Sequence, residues 1–352
     1  MKRYWPAVFC AVSMLGSITM EARAQAQGAE AHVAAAKAVL SPNTDNPKPW
    51  QTFNSLFRTV CTPPRKDARP AKIGPGEPDE KGKLVPTPRD KWYVPPVKVF
   101  DNLYFIGTQS ESTWALTTSA GIILLNTNFP WVTPDLLNEL KTFGLDPANV
   151  KYAIIVRSHS DQSWGINALK KMVPSARVVM SEKDWDLLAK DNTPADLKPV
   201  KDMVAKDGEK ITLGDTTVAI YSTPTSTPGS ISLIFPLKEG NQRHVAGMLG
   251  GDLMRLVQEG VQLYPDMQTE AKAYIPAVKR FKEIEDKAGV DAIIHIHSED
   301  DNSLLKLDAV RSRKPGEPNP FVSKDDVDRF MTVHIECAEA QLAWATSDSG
   351  LN

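Results

Sequence analysis

The stretch Tyr152–Gly165 reads Y-A-I-I-V-R-S-H-S-D-Q-S-W-G. Tyr152 to Val156 is an apolar, β-branched run with the length of a buried strand. It gives way to a short polar loop carrying Arg157, His159, Asp161 and Gln162. A helical pattern then begins near Ser163 and continues through Leu169. A strand that ends in polar side chains just before a helix is a common place for a site in α/β proteins.

Upstream of this stretch, Val97 to Gly107 reads as extended chain around an Asp101-Asn102 turn. Thr113 to Thr118 and Ile122 to Leu125 follow as strands joined at Ala120-Gly121. Thr133 to Phe143 carries Leu136, Leu137 and Leu140 at helical spacing, with Thr133 as N-cap and Gly144 as stop. Downstream, Arg177 to Met180 is a strand, and Ser181 starts a helix whose Glu182 and Asp184 suit its positive end. Lys210–Leu213 and Thr216–Ser222 form a hairpin around Gly214-Asp215. The loop T-P-T-S-T-P-G-S leads into strand Ile231–Phe235, and His244–Leu249 ends at Gly250-Gly251-Asp252. A helix over 270–288, a strand Asp291–His297 ending in histidine, and a helix from Lys324 to about Ala345 complete the chain. Strands fall in two groups, each followed by helices, with no linker between them. That pattern predicts one large layered α/β domain.

Composition narrows the function classes. The chain has 352 residues, 41% apolar and 24% charged, as in soluble globular proteins. A net charge of -2 without a basic stripe argues against nucleic acid as a partner. Lys2 and Arg3 precede an apolar run to about Met20, with A-x-A sites at 22–24 and 24–26. That order is a secretory signal peptide, predicting export to the periplasm or beyond and no membrane span after cleavage. Residues 27–91 read as a Pro-rich N-terminal extension, draped over the domain, in which Trp50, Phe53, Leu56 and Phe57 form a short docking helix. The main domain spans 92–345. Export leaves Cys61 and Cys337 in an oxidising compartment, where a bridge and two free thiols both fit the sequence.

Polar groups close strands in four places: Arg157/His159/Asp161/Gln162, Ser226, Asp252 and His297. Hydrolytic zinc wants about three ligands from histidine and carboxylate plus an open position for water. His159, Asp161 and His297 could supply such a set. His295, two residues before His297, would face the same side of a strand. His244 and His334 read as ordinary surface or core histidines. Serines 158, 160 and 163 flank His159 and Asp161, but no G-x-S-x-G elbow is present.

Several motifs together resemble the metallo-β-lactamase superfamily, most of all the β-lactamase subclass with histidine-and-aspartate-only dinuclear zinc sites and its exported relatives. D-N-L-Y-F-I-G-T at 101–108 is similar to that group's opening strand, and G-I-I-L-L-N-T at 121–127 to its G-x-I-L-L-D-T strand. T-P-T-S-T-P-G-S at 223–230 resembles T-P-G-H-T-P-G-S, and G-G-D-L at 250–253 the later strand ending in Asp. The resemblance implies a four-layer αββα sandwich with metals at one edge of the sheets. It also implies losses. The family's H-x-H-x-D-H stands here as R-S-H-S-D-Q, so Arg157 and Gln162 replace histidines. Ser226 replaces the loop histidine, and Asn126 an aspartate that supports the ligands from behind. His159, Asp161 and His297 remain, as does Asp252, another supporting residue behind the ligands. On that alignment only His159 is left of the three histidines at the first zinc, while Asp161, Gln162 and His297 stand at the second.

Three readings follow. In the first, the protein is a pseudoenzyme with Arg157 paired to Asp161 in place of the missing cation. In the second, at most one zinc remains, on Asp161, His297 and either His159 or Gln162. Asp161 then serves hydrolysis of an ester, lactone or β-lactam. In the third, the old cleft binds a small molecule. Three missing ligands of six favour the first. No role attaches to 298–321.

Overall fold

The computed structural model describes residues 28–62, 75–78, 80, 84–252, 257–258 and 260–348. The segment 1–26 read as a signal peptide, and Leu253 of the G-G-D-L motif, lie outside the described residues.

Two sheets form the centre. The first runs β3 (Val97–Phe100), β4 (Leu103–Phe105), β5 (Trp114–Thr118), β6 (Gly121–Leu125), β7 (Val150–Ile154), β8 (Arg177–Ser181) and β9 (Met203–Ala205), in spatial order. It is antiparallel as far as β6 and parallel from there on. The second is β10 (Lys210–Leu213), β11 (Thr216–Ser222), β12 (Ile231–Glu239), β13 (Gln242–Met248) and β16 (Ala292–Ile293), parallel only in its last pair. Short pairs stand outside: β1 (Gly76–Pro78) with β2 (Leu84–Pro86), and β14 (Val257–Gln258) with β15 (Val261–Gln262).

Side chains of both sheets meet in a central core that includes Phe105, Trp114, Leu125, Ile154, Leu233, Phe235 and Ile294. Trp114 lies edge-on to Phe105 and to Phe321, and its indole N–H donates to the His295 carbonyl, so the largest core ring leaves no polar atom unmet. The outer face of the first sheet is covered by α3 (Thr133–Leu140), α4 (Ser160–Ser163), α5 (Ile166–Met172) and α6 (Glu182–Lys190). The other outer face carries α7 (Met267–Ala288) and α9 (Lys324–Asp348), with α8 (Ser303–Ser312) between β16 and α9. Helix–sheet–sheet–helix layering is thus the arrangement of this chain.

Helix α1 (28–38) and α2 (Asn54–Val60) belong to the Pro-rich extension and pack on α9, Phe53 and Leu56 fully buried beside Phe330. Cys61 and Cys337 are bridged, with Cα atoms 4.7 Å apart, so the docking helix is tied to α9. A bridge closing so long a loop contributes about 2–4 kcal/mol.

Several boundaries depart from the sequence reading. The strand expected at Tyr152–Val156 is Val150–Ile154, and helix begins at Ser160 rather than near Ser163. The strand expected over Asp291–His297 pairs with β13 only at Ala292–Ile293, since β13 ends at Met248, and His297 itself makes an isolated bridge to Glu111. Thr133 is no N-cap. Its hydroxyl donates instead to the carbonyls of Thr127 and Phe129, and the cap position is Val132. The buried stripe of α9 includes Val327, Phe330, Met331, His334, Cys337 and Gln341, at spacings of three and four; Ile335 and Leu342 sit at its margin. Among the described residues no helix is long and apolar enough to cross a membrane.

Glu285 lies on the buried face of α7, where burial pushes its carboxyl up to about 8. A carboxyl raised above its unfolded value stabilises the fold fully at low pH and loses that contribution as pH rises through the folded value. Glu285→Gln is therefore predicted to flatten the fall in unfolding free energy between pH 5 and 9, by on the order of a few kcal/mol, as measured by urea denaturation.

Candidate functional site

The loop after β7 is built by backbone bonds before any side chain matters. Ile155 N–H donates to Val179 O at 2.9 Å, and Val156 N–H to Asn126 Oδ1 at 3.1 Å. Asn126 takes a left-handed backbone (φ 68°), which suits Asn, and spends its carbonyl on the strand rather than on a metal position. Asp184, from the start of α6, accepts from Ser158 N–H and from Thr227 Oγ1, both at 2.9 Å. One buried carboxyl thus clamps R-S-H-S-D-Q to T-P-T-S-T-P-G-S. Burial raises it to about 7 against the pull of those hydrogen bonds. The sequence reading assigned Asp184 only to the helix end.

Between the clamped loops lies Arg157, 1% exposed. Its Nη1 donates to Gly250 O at 3.3 Å, and its Nη2 stands 3.0 Å from His297 Nε2 and 3.7 Å from Asp161 Oδ2. Gly251 packs closely alongside. A Cβ there would come within 2.6 Å of Ser226 Oγ and 2.7 Å of Arg157 Nη1. Gln162 Nε2 donates to Asp161 Oδ2 at 2.7 Å, and the Ser226 hydroxyl donates to the Asp252 carbonyl. His159, at the N-cap position of α4, is buried. The structure therefore brings Arg157, His159, Asp161, Gln162, Ser226, Asp252 and His297 to one edge of the sheets. Asn126 reaches them only through the backbone.

Two residues the sequence reading missed complete the arrangement. Glu111, bridged through its backbone to His297, places Oε2 3.4 Å from His297 Nε2. Asp300 puts Oδ2 3.3 Å from His297 Nδ1. The H-x-x-D spacing of 297 and 300 was visible within H-S-E-D-D-N; Glu111 had no signal. His297 also meets Asp161 at 3.2 Å through Nε2 and Asp252 at 3.2 Å through Nδ1.

Burial and charge sort these groups. Burial disfavours the His297 cation, but Glu111 and the hydrogen bonds to Asp161, Asp252 and Asp300 outweigh it and raise the ring well above its usual value. Burial likewise works against ionised Asp161, yet the bond to His297 and the charge of Arg157 hold it well below the usual range. Asp252 is lowered too: nearby histidines, His295 foremost, overcome its burial. Glu111 is raised by burial and then by Asp161, and Asp300 by burial and then by Asp252. Two cations, Arg157 and His297, thus face two ionised carboxylates, Asp161 and Asp252. Arg157 Nη2 and His297 Nε2 both stand beside Asp161 Oδ2, at 3.7 Å and 3.2 Å.

That packing tests whether zinc fits the family positions. Glu111, Asp161 and His297 each bring one ligand atom within 4.8 Å of the others. An ion held at about 2.0–2.2 Å from Asp161 and His297 would lie against the Arg157 guanidinium. A permanent cation with no lone pair repels a dication and cannot ligate it. Zinc does not fit these positions in this arrangement. His295 and His334, by contrast, turn to Asp252 from the other side, both fully buried.

No protein-family model matches the sequence. Solved structures do. BJP-1, a subclass B3 metallo-β-lactamase of Bradyrhizobium japonicum, is 26% identical with a TM-score of 0.60, over 74% of this chain and 97% of that one. A metallo-β-lactamase of Cronobacter sakazakii, described by its HARLDQ motif, is 25% identical with a TM-score of 0.54, over 68% and 85%. LRA-12, a class B3 di-zinc metallo-β-lactamase from an Alaskan soil metagenome, is 22% identical with a TM-score of 0.58, over 71% and 94%. The chain has the metallo-β-lactamase fold, its likeness runs to subclass B3, and the zinc-ligand motifs of that family stand in it in degenerate form.

Proposed function

We propose that this is an exported metallo-β-lactamase-fold protein, a degenerate hydrolase whose family site no longer holds a dinuclear zinc centre. The observation that carries the reading is Arg157: buried, clamped between two loops, and standing against both His297 and Asp161. Its charge, together with that of His297, balances carboxylates that metal ions would otherwise balance. The Cys61–Cys337 bridge supports an oxidising compartment. The main domain is taken to begin near Trp92, with 27–91 as an extension docked on its helical face.

A second reading has one observation in its favour. Glu111, Asp161 and His297 converge closely enough for one ion, provided Arg157 withdraws. The Cronobacter motif shares its final Asp-Gln with R-S-H-S-D-Q, so Gln162 is no bar to that reading. The two separate in an assay of the full chain against β-lactams, lactones and phosphodiesters with zinc added. The pseudoenzyme shows no rate above a zinc blank. A rate that is present in the parent and abolished by Asp161→Asn overturns it in favour of a mononuclear hydrolase.

A further inference from the structure

We infer that Asp252, His295 and His334 form a separate mononuclear site for a first-row divalent cation such as zinc, pinning the C-terminal helix to the sheet edge. Only Asp252 belongs to the motifs already discussed; the two histidines lie outside the family ligand set.

Asp252 follows the Gly250-Gly251 turn after β13, His295 follows β16, and His334 lies on the buried stripe of α9. Asp252 Oδ1 is 3.6 Å from His295 Nε2 and 3.8 Å from His334 Nε2, and all three atoms lie within 4.8 Å of one another. These separations are too long for hydrogen bonds. Each of the three atoms is buried without a hydrogen-bond partner, the two histidine side chains fully buried and that of Asp252 nine-tenths buried. Three orphaned donors or acceptors aimed at one point are costly unless something sits between them. Tetrahedral ligands at about 2.0–2.1 Å from zinc lie about 3.3–3.4 Å apart. The two separations from Asp252 Oδ1 exceed that by a few tenths of an ångström, and the two histidine nitrogens lie within 4.8 Å of each other.

The outer atoms of the same side chains are already engaged, as metal ligands require. His334 Nδ1 is 2.7 Å from Tyr274 Oη, and His295 Nδ1 lies between the backbone groups of His297, 3.4 Å from its carbonyl O and 3.3 Å from its N–H. Asp252 Oδ2 meets His297 Nδ1 at 3.2 Å. The site takes the tautomer in which His334 Nδ1–H faces Tyr274 Oη and His295 Nδ1–H faces His297 O rather than accepting from His297 N–H; each Nε2 then presents its lone pair toward Asp252 Oδ1. Phe330, 5.4 Å from the His295 ring and 4.6 Å from the His334 ring by centroid, walls the site. Cys337, one turn beyond His334, carries the disulfide, so the ion and the bridge would hold one stretch of α9 from two sides. With three protein ligands, the fourth position is left to water.

The test uses the full chain without a metal-binding tag, stripped with chelator and titrated with zinc. One equivalent is expected, lost in His334→Gln and in His295→Gln but kept in Asp161→Asn and His159→Ala. Tyr274→Phe, which spares every ligand, should weaken binding about 10–100-fold. Zinc-edge absorption fine structure on the parent needs no variant and should show two imidazoles per zinc, where the Glu111/Asp161/His297 set offers one. No bound zinc, as when only water fills the gap, overturns the inference. Zinc lost in Asp161→Asn and kept in His334→Gln also overturns it, and that outcome alone would favour the mononuclear hydrolase.

Discussion

Arg157→His, Gln162→His and Ser226→His together should yield a protein that binds two equivalents of zinc more than its parent. The expectation rests on what each replaced side chain does now. Arg157 stands against Asp161 and His297, so its removal opens the space between them. Gln162 donates to Asp161 Oδ2, the oxygen a second-site metal would take, and a histidine there would offer a ligand instead. Ser226 lies against Gly251 in a gap already shared with Arg157 Nη1. Ser226→His alone therefore overpacks the edge, at about 1–3 kcal/mol, while beside a shortened residue 157 it has room. The gain should be strongly non-additive: Gln162→His alone completes the second set but leaves Arg157 against Asp161 and His297, and the first set needs both Arg157→His and Ser226→His. Metal analysis after dialysis checks it. A triple variant that unfolds cooperatively, yet binds no more zinc than the parent, means that the loops have been matched to the family motifs wrongly.

Arg157→Met is the second large effect. The substitution keeps the apolar stem and removes the charge, leaving Asp161 and Asp252 ionised in a buried site with one cation fewer. Breaking a buried pair from one side costs about 3–5 kcal/mol, because the remaining charge has nowhere to go. Urea denaturation at pH 7 measures this. A double-mutant cycle with Asp161→Asn separates charge from packing. If pairing is the cause, the double variant loses clearly less than the sum of the singles. Additive losses would mean that Arg157 contributes only volume.

Much of the fold could be read in advance because burial imposes local periods. The β10–β11 hairpin was bounded correctly from the Gly214-Asp215 turn and the alternation beside it. Ends were harder. Val156 is as apolar as Ile154, but its N–H goes to Asn126 rather than to a neighbouring strand, so pairing stops where the hydrophobic run does not. Helix α8 was missed because Ser303–Ser312 has little contrast between its faces, only Ser303, Lys306 and Leu307 being buried.

At the site, Arg157, Asp161 and His297 were found because they close strands within a recognisable order. Glu111 was not, since it lies in a short loop and reaches His297 through a bridge between distant segments. His334 was set aside as ordinary because it sits amid the apolar stripe of α9, where a histidine looks like any filler. Only the packing of α9 against the sheet edge shows that it faces Asp252. Asp184 illustrates the same limit: the spacing that makes it a good helix-start residue says nothing of the two loops it clamps.

The most direct test of the claim that Arg157 has displaced the family's zinc is an anomalous difference map, recorded at the zinc edge from zinc-soaked crystals of the full chain. The account predicts no peak among His159, Asp161 and His297, with Arg157 remaining against the latter two. A peak bonded to Asp161 and His297, with the guanidinium swung aside, would contradict it.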